Sequence, residues 1–335
     1  MTFPRKTLVS LGAAAALSLF VFTARASAGG AEEALSWVPA DAVSVGVVRI
    51  DALRSSPLAA RLFEQTDEMA ADGDAAKFLE ETGLRPKQDV DLMVVAGLGR
   101  SSGRGISHAL VVFEGRFDPA RLSAAMEARG ASRKRTPHGE YLALEGKDNH
   151  GHPGAFAFVS PRLLVAGSAS AVTRALADRA AGGGSAFLRG EGLGRHLSRI
   201  PDDASAWAIV DATRAPIAGG HRSRSDEGEN GDPAHALMGA MKSVSLFVFH
   251  ATARGESVEI SATGLSADDE TRELLADALK GVVAMWRLAV HEKSPELVPI
   301  LRRFEIENDG EGVTVTGTLP SSFVRKMTDR RQARK

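Results

Sequence analysis

Apolar runs of strand length recur along the chain, separated by amphipathic stretches and by glycine, proline or aspartate at the joints. Residues 42–50 are rich in Val and predict a buried strand. Ser56-Pro57 then supplies an N-cap and a first helical position for a helix through Leu58, Leu62 and Phe63. A second short helix, around Phe78 to Thr82, stops at Gly83. Strands are predicted over Val90 to Leu98 and His108 to Phe117, joined by a loop from Gly99 to Gly105. Asp118-Pro119 opens a helix that closes at Gly130, and a hairpin turn falls around Pro137 to Gly139. Strands at Phe156 to Val159 and Leu163 to Ala166 precede a helix that starts at Ser168 or Ser170 and runs to about Ala180.

Ala181-Gly182-Gly183-Gly184-Ser185 has the composition of a flexible linker. It divides the chain into an N-terminal lobe, residues 29–181, and a C-terminal lobe, residues 186–330. Beyond it the pattern restarts. Pro201-Asp202-Asp203-Ala204, the apolar Trp207 to Val210 and Asp211-Ala212-Thr213-Arg214 echo Pro39-Ala40-Asp41-Ala42, Val45 to Ile50 and Asp51-Ala52-Leu53-Arg54. An internal repeat is the natural reading. Residues 219–233 are small, charged or glycine and read as a disordered insertion. Strands Ser243 to Ala251 and Ser257 to Thr263 turn at Arg254-Gly255. A helix from Asp268 to about His291 carries Leu275, Leu279, Val282, Trp286 and Val290 on one stripe. The last hairpin turns at Asn308-Asp309-Gly310, between Phe304 and Ile306 on one side and Val313, Val315 and Leu319 on the other, and Pro320 opens a short helix. Adjacent hairpins with helices between them predict an α+β fold: two related lobes, each a mainly antiparallel sheet with helices packed on one face.

The first thirty residues bear on location. Arg5 and Lys6 precede an apolar run from Leu8 to Phe22, and Ala24-Arg25-Ala26-Ser27-Ala28 offers two small-x-small sites. That is the pattern of a secretory signal peptide, residues 1–28, and it places the mature chain in the periplasm or outside the cell. No later stretch approaches a membrane-spanning length, so no stable span is expected after cleavage. Cutting after Ala26 removes Arg5, Lys6 and Arg25 from the 41 basic residues, leaving 38 against 42 acidic and a net charge of −4. Such a balance argues against a nucleic-acid partner. The chain has no cysteine, which excludes disulfides, thiolate metal sites, thiol catalysis and a lipidated N-terminal cysteine.

Candidate chemistry is sparse. His150-Gly151-His152, with Asp148 and His138 near in sequence, is the best metal-ligand cluster, since two imidazoles and a carboxylate can share an ion. A solvated polar loop accounts for it more simply, because no helix holds the spacing. His291-Glu292 lacks the second histidine of a zinc-protease helix. Gly97 to Gly105 resembles a glycine-rich phosphate cradle, yet a strand rather than a helix follows it. Gly167-Ser168-Ala169-Ser170 lacks the final glycine of a nucleophile elbow, and helix capping explains Ser168. The acids of the pairs Asp89/Asp91 and Asp72/Asp74 flank turns. The stripe on the long helix suits either an apolar ligand or the helix's own sheet.

Trp37-Val38-Pro39-Ala40-Asp41-Ala42 with Asp51-Ala52-Leu53-Arg54-Ser55-Ser56-Pro57-Leu58 resembles a family of uncharacterised exported bacterial proteins whose Pro-Ala-Asp segment leads a Val-rich strand. Phe117-Asp118-Pro119-Ala120-Arg121-Leu122, Ala166-Gly167-Ser168 and Val313-Thr314-Val315-Thr316-Gly317 are similar too. The resemblance implies an exported α+β protein and carries over no active-site residue and no cofactor. The expectation is therefore a non-enzymatic binding or scaffolding protein, with an unknown protein or a small apolar ligand of the cell envelope as partner. Two alternatives are a metal-assisted hydrolase using His150 and His152, and a carrier holding a hydrophobic ligand between the lobes. Signal peptidase should cut after Ala26 or Ala28, as N-terminal sequencing of the exported protein would read; a mature chain still starting at Met1 would overturn the assignment.

Overall fold

The structure, a computed structural model, describes residues 31–54, 73–99, 106–147, 153–182, 186–215, 244–293 and 298–320. The signal segment, the helix expected after Ser56, residues 183–185 of the linker, the 219–233 insertion and the helix expected after Pro320 lie outside them. The chain begins with α1 (Ala31–Leu35), β1 (Ala42–Arg49), α2 (Ile50–Leu53), α3 (Asp74–Thr82) and α4 (Pro86–Asp89). The hairpin β2 (Val90–Gly99) and β3 (Ile106–Gly115) leads to α5 (Pro119–Glu127). A four-strand meander follows: β4 (Ser132–Thr136), β5 (Gly139–Lys147), β6 (Pro153–Ser160) and β7 (Leu163–Ser168). After α6 (Ala169–Ala180) and a 3-10 helix (Gly192–Arg199) come β8 (Ala206–Asp211), β9 (Leu246–Arg254) and β10 (Ser257–Leu265). The chain closes with α7 (Asp269–Lys293), α8 (Val298–Leu301), β11 (Glu305–Asn308) and β12 (Gly312–Pro320).

Local chemistry sets most of these boundaries. The Asp118 carboxylate accepts the Arg121 N–H at 3.0 Å, and Pro119 occupies the first turn of α5. Ser168 caps α6 by accepting the Ala171 N–H at 3.3 Å. Gly83 ends α3 in the left-handed region, with φ of 67° that a side chain would resist. At the last hairpin, Asp309 Oδ1 accepts the N–H groups of Glu311 and Gly312 at 2.9 and 2.8 Å.

All twelve described strands join one antiparallel sheet in the order β11-β12-β10-β9-β8-β1-β2-β3-β7-β6-β5-β4. The α+β antiparallel architecture is thus the expected one, with the two expected sheets merged. The merger is the pairing of β1 with β8, which sets Val45 against Ile209, Gly46 against Ala208 and Val47 against Trp207. Topology runs in parallel on either side of it. Each half lays down a three-strand meander, then a helix, then a returning segment whose last strand pairs with the third strand of its half. Asp51 and Asp211, the acids of the sequence echo, both stand at the exit of the first strand of their half and accept nearby backbone N–H groups.

The helices divide between the faces according to the strand pattern. One face of the sheet buries Val45, Val47, Val94, Leu110, Val112, Val165, Trp207 and Ile209 under α1, α6 and the 3-10 helix. Arg179 of α6 stacks over the Trp37 ring at 5.5 Å and donates to the Ser36 hydroxyl at 2.9 Å, which clips the N-terminal segment onto this layer. The opposite face packs Phe113, Phe158 and Leu164 against Phe78 of α3 and Leu122 near the start of α5. Strands β2, β3 and β6 are apolar at both parities (Val94 and Val95, Val111 and Val112, Ala157 and Phe158), so the N-terminal half has a helical layer on each side. In the C-terminal half α7 covers that same second face, laying Leu275, Ala276 and Leu279 on Phe247, Phe249 and Val313.

Two glycines test this packing in opposite directions. Gly167, at φ of 152°, lies so close to β3 that a Cβ would strike the Ala109 carbonyl oxygen. Gly281 sits mid-way along α7 with nothing within 4 Å of a built Cβ. Gly167→Ala should cost about 2–3 kcal/mol through overpacking, and Gly281→Ala should gain up to about 1 kcal/mol from helix propensity. Urea denaturation of both variants measures the two shifts, and equal effects would show that strand contact at Gly167 has been misjudged.

Candidate functional site

Of the residues singled out for metal chemistry, one is described. His150, His152 and Asp148 lie outside the described residues. His138 is described, exposed in the β4–β5 turn, where its N–H donates to Thr136 Oγ1 at 3.2 Å. It stands at the start of β5, whereas residues 148–152 follow the end of β5, and a nine-residue strand separates the two ends. At about 3.3 Å per residue that is roughly 26 Å, which sets His138 far from Lys147, the last described residue before that segment. Among the described residues no group of three His, Asp or Glu side chains is placed to hold a metal ion.

The other candidates resolve into structural duties. Gly97 and Gly99 lie at the end of β2 and Ile106 begins β3, so the glycine-rich segment, whose residues 100–105 lie outside the description, joins two strands. Asp89 is buried and accepts the Arg85 N–H at 2.8 Å, while Asp91 pairs with Arg54 at 2.6 Å. Asp72 lies outside the description and Asp74 opens α3. On the helical stripe, Leu275 and Leu279 face the sheet, and the side chains of Trp286, Val290 and His291 lie outside the described set.

Ser168 and Ser170 do meet a histidine. His108 of β3 places Nδ1 at 3.1 Å from Ser168 Oγ and 3.3 Å from Ser170 Oγ, and the two hydroxyls are 3.3 Å apart. Sixty residues separate His108 from Ser168, and only the β3–β7 pairing joins them, so no local sequence signal marks the cluster. Ser168 Oγ is already the cap of α6. The exposed Ser170 hydroxyl can donate to the imidazole, which is half of a nucleophile–base pair.

The sheet edges offer a different kind of site. Among the described strands, β4 pairs only with β5 and β11 only with β12, so each leaves one row of backbone N–H and C=O groups without a strand neighbour. Their sequences are opposite in charge. The β4 edge reads Ser132-Arg133-Lys134-Arg135-Thr136 and the β11 edge reads Glu305-Ile306-Glu307-Asn308, continued by Asp309 and Glu311. Arg133 and Arg135 are tethered to Glu140 of the neighbouring strand, and Arg133 also to Glu127 at 2.9 Å. Lys134, Glu305 and Glu307 are exposed. Beside the β11 edge, Asp269, Arg272, Glu273, Asn308 and Gly310 line an open polar cleft of about 290 Å³. Nothing in composition or periodicity marks these strands as edges, because edge position is a property of the whole sheet. Among the described residues no helix is long and apolar enough to cross a membrane.

Glu114 of β3 is the buried acid with the least support. One carboxylate oxygen faces Arg162 at 3.4 Å and the other has no hydrogen-bond partner. Burial pushes its pKa above the usual carboxylate value, and the Arg162 guanidinium opposes that only in part. A raised folded-state pKa means that folding favours the protonated acid, so the contribution is present at low pH and is lost as pH rises through the folded pKa. Glu114→Gln should therefore be more stable than wild type near neutral pH, and the difference should close as pH falls through the carboxylate range. Thermal melts of both proteins across that range check it; a Gln variant that melts earlier at neutral pH would show that the Arg162 pair outweighs burial.

No family model and no curated protein matches this chain. Among solved structures it is similar to crystal forms of TP0453. Form I gives a TM-score of 0.44 at 11% identity over 87% of this chain and 94% of that one. Form III gives 0.47 at 10% over 87% and 96%, and form IV gives 0.43 at 12% over 88% and 95%.

Proposed function

We propose that this chain is an exported, non-catalytic protein of the cell envelope that acts by binding or scaffolding through the open edges of its sheet. The observation that carries this reading is the pair of edge strands of opposite charge, each with a strand neighbour on one side only among the described residues. An exposed strand edge offers a ready row of hydrogen-bonding groups, and its side chains select which strand can add to it. The leader pattern of residues 1–28 and the absence of cysteine support a life outside the cytoplasm without disulfides. The charged groups close to the sheet support the reading as well. Asp89, Asp91, Asp118 and Asp309 are each engaged in holding turns, caps or neighbouring strands.

The test is photocrosslinking in cells, with a photoreactive phenylalanine at Ser132 on one edge, at Asn308 on the other, and at the exposed Ser198 of the 3-10 helix as control. These positions leave the edge charges in place. Covalent adducts at Ser132 or Asn308 and none at Ser198 are the expected result. No adduct at either edge would overturn edge binding, and stoichiometric zinc in the purified protein would favour the hydrolase using His150 and His152 instead.

A further inference from the structure

Each edge of the sheet is charged in a way that repels a copy of itself. A β4–β4 contact would bring Arg133, Lys134 and Arg135 against their own kind, and a β11–β11 contact would do the same with Glu305 and Glu307. Like charges directly opposite one another on paired strands are destabilising, and opposite charges are favourable. Charged edges of this kind normally protect a sheet from joining another. Here the protection has one gap: the edge of β4 and the edge of β11 suit each other.

The geometry of the sheet permits that union. Every neighbouring pair among the twelve strands is antiparallel, so an even number of strands leaves β4 and β11 running in opposite directions. A second copy placed β11-first against β4 therefore continues the antiparallel order with its faces aligned. Side-chain parity then restricts the register to shifts of two residues, and the fullest overlap of the two short strands selects one of them. Lys134 lies on the face of Tyr141, which is also the face of Trp207, and Glu305 and Glu307 share that face through Thr316, Ser261 and His250. The matching register sets Lys134 opposite Glu307, Thr136 opposite Glu305 and Ser132 opposite Asp309. On the other face it sets Arg133 opposite Asn308, beside the cleft whose rim carries Asp269 and Glu273. Asp269 there is already paired with Arg272, which leaves Glu273 as the carboxylate nearest the arriving Arg133 side.

We propose that the partner of these edges is a second copy of this chain, joined head to tail by antiparallel pairing of β4 with β11. The proposal rests on the edge-binding reading above and names its occupant. A contact between two different patches is heterologous, so each added copy leaves one free edge of each kind, and growth proceeds through dimers, trimers and longer species. The paired segment is four or five residues long, which makes the association weak, dependent on concentration and sensitive to salt.

Sedimentation velocity on the mature protein tests this. At about 50 mM salt a ladder of species should grow with protein concentration, and at about 500 mM salt it should collapse towards monomer. Lys134→Glu and Glu307→Lys should each weaken association roughly tenfold, since each turns an opposite pair into a like pair. The double variant carrying both changes should recover it, with all three keeping the wild-type melting temperature. A wild type that stays monomeric at every salt and concentration overturns the proposal, as does a closed dimer that never extends, or a double variant no better than the singles. These failures are separable from failure of the edge-binding reading. Crosslinked adducts at Ser132 or Asn308 with a mass other than a multiple of this chain would keep that reading and remove self-assembly.

Discussion

Pairing of β1 with β8 is the contact on which the architecture rests. Five residue pairs, from Ser44 with Val210 to Val48 with Ala206, tie strands more than 150 residues apart in the chain. Val45, Val47, Trp207 and Ile209 are all buried there, beneath the 3-10 helix and the N-terminal segment. Without this ladder, each half would carry an apolar central strand as an exposed edge, which is the arrangement most prone to aggregation. With it, the two most hydrophobic strand edges satisfy each other, and the short polar strands β4 and β11 are left at the rims. The distribution of charge follows from that choice: apolar strands sit in the middle of the sheet and charged ones at its ends. A chain without cysteine has no covalent staple to share the work, so packing across this seam carries it.

Much of the fold was legible because it is written in local chemistry. Asp118-Pro119, Ser168, Gly83 and Asn308-Asp309-Gly310 each act within a few residues of themselves, and each cap or turn lies where the sequence places it. Strands with an apolar face, such as β2, β3 and β12, announced themselves by their Val content or alternation. What was not legible depended on distant partners. Strand β4 is Ser-Arg-Lys-Arg-Thr, which no hydrophobic pattern would mark, and it is held as a strand by pairing with β5. The 3-10 helix is built on a glycine-rich stretch, and it forms because Leu193 and the neighbouring Phe187 find the core. The second helical layer over the N-terminal half follows from strands apolar at both parities, a feature that single-face alternation does not convey.

Site chemistry was harder to read for the same reason. Ser168 was visible as a cap, but its neighbour His108 comes from a strand sixty residues earlier, through the β3–β7 ladder. His138 and Lys147 are close in sequence and bracket β5, because an extended strand is the fastest way to separate two residues. Proximity in a sequence of strands is therefore a poor guide to a ligand set, whereas on a helix the same spacing would have brought the side chains onto one face. The edges were invisible altogether, since a strand becomes an edge only when every other pairing has been made.

An open sheet of twelve strands is large for its kind, and a sheet that does not close must do something with its two ends. Closure into a barrel would require β4 and β11 of the same chain to meet. Their charges would favour that meeting as much as one between two copies, so charge does not decide between them. Geometry does. Helices cover both faces of the N-terminal half and one face of the C-terminal half, with α6 and the 3-10 helix on one side and α3, α5 and α7 on the other. Barrels of about this many strands have room for one enclosed helix, whereas closing this sheet would trap a whole layer inside, either α6 with α1 and the 3-10 helix or α3, α5 and α7. The layers that stabilise the sheet thereby hold its ends apart, and the complementary edges remain available to strands from elsewhere.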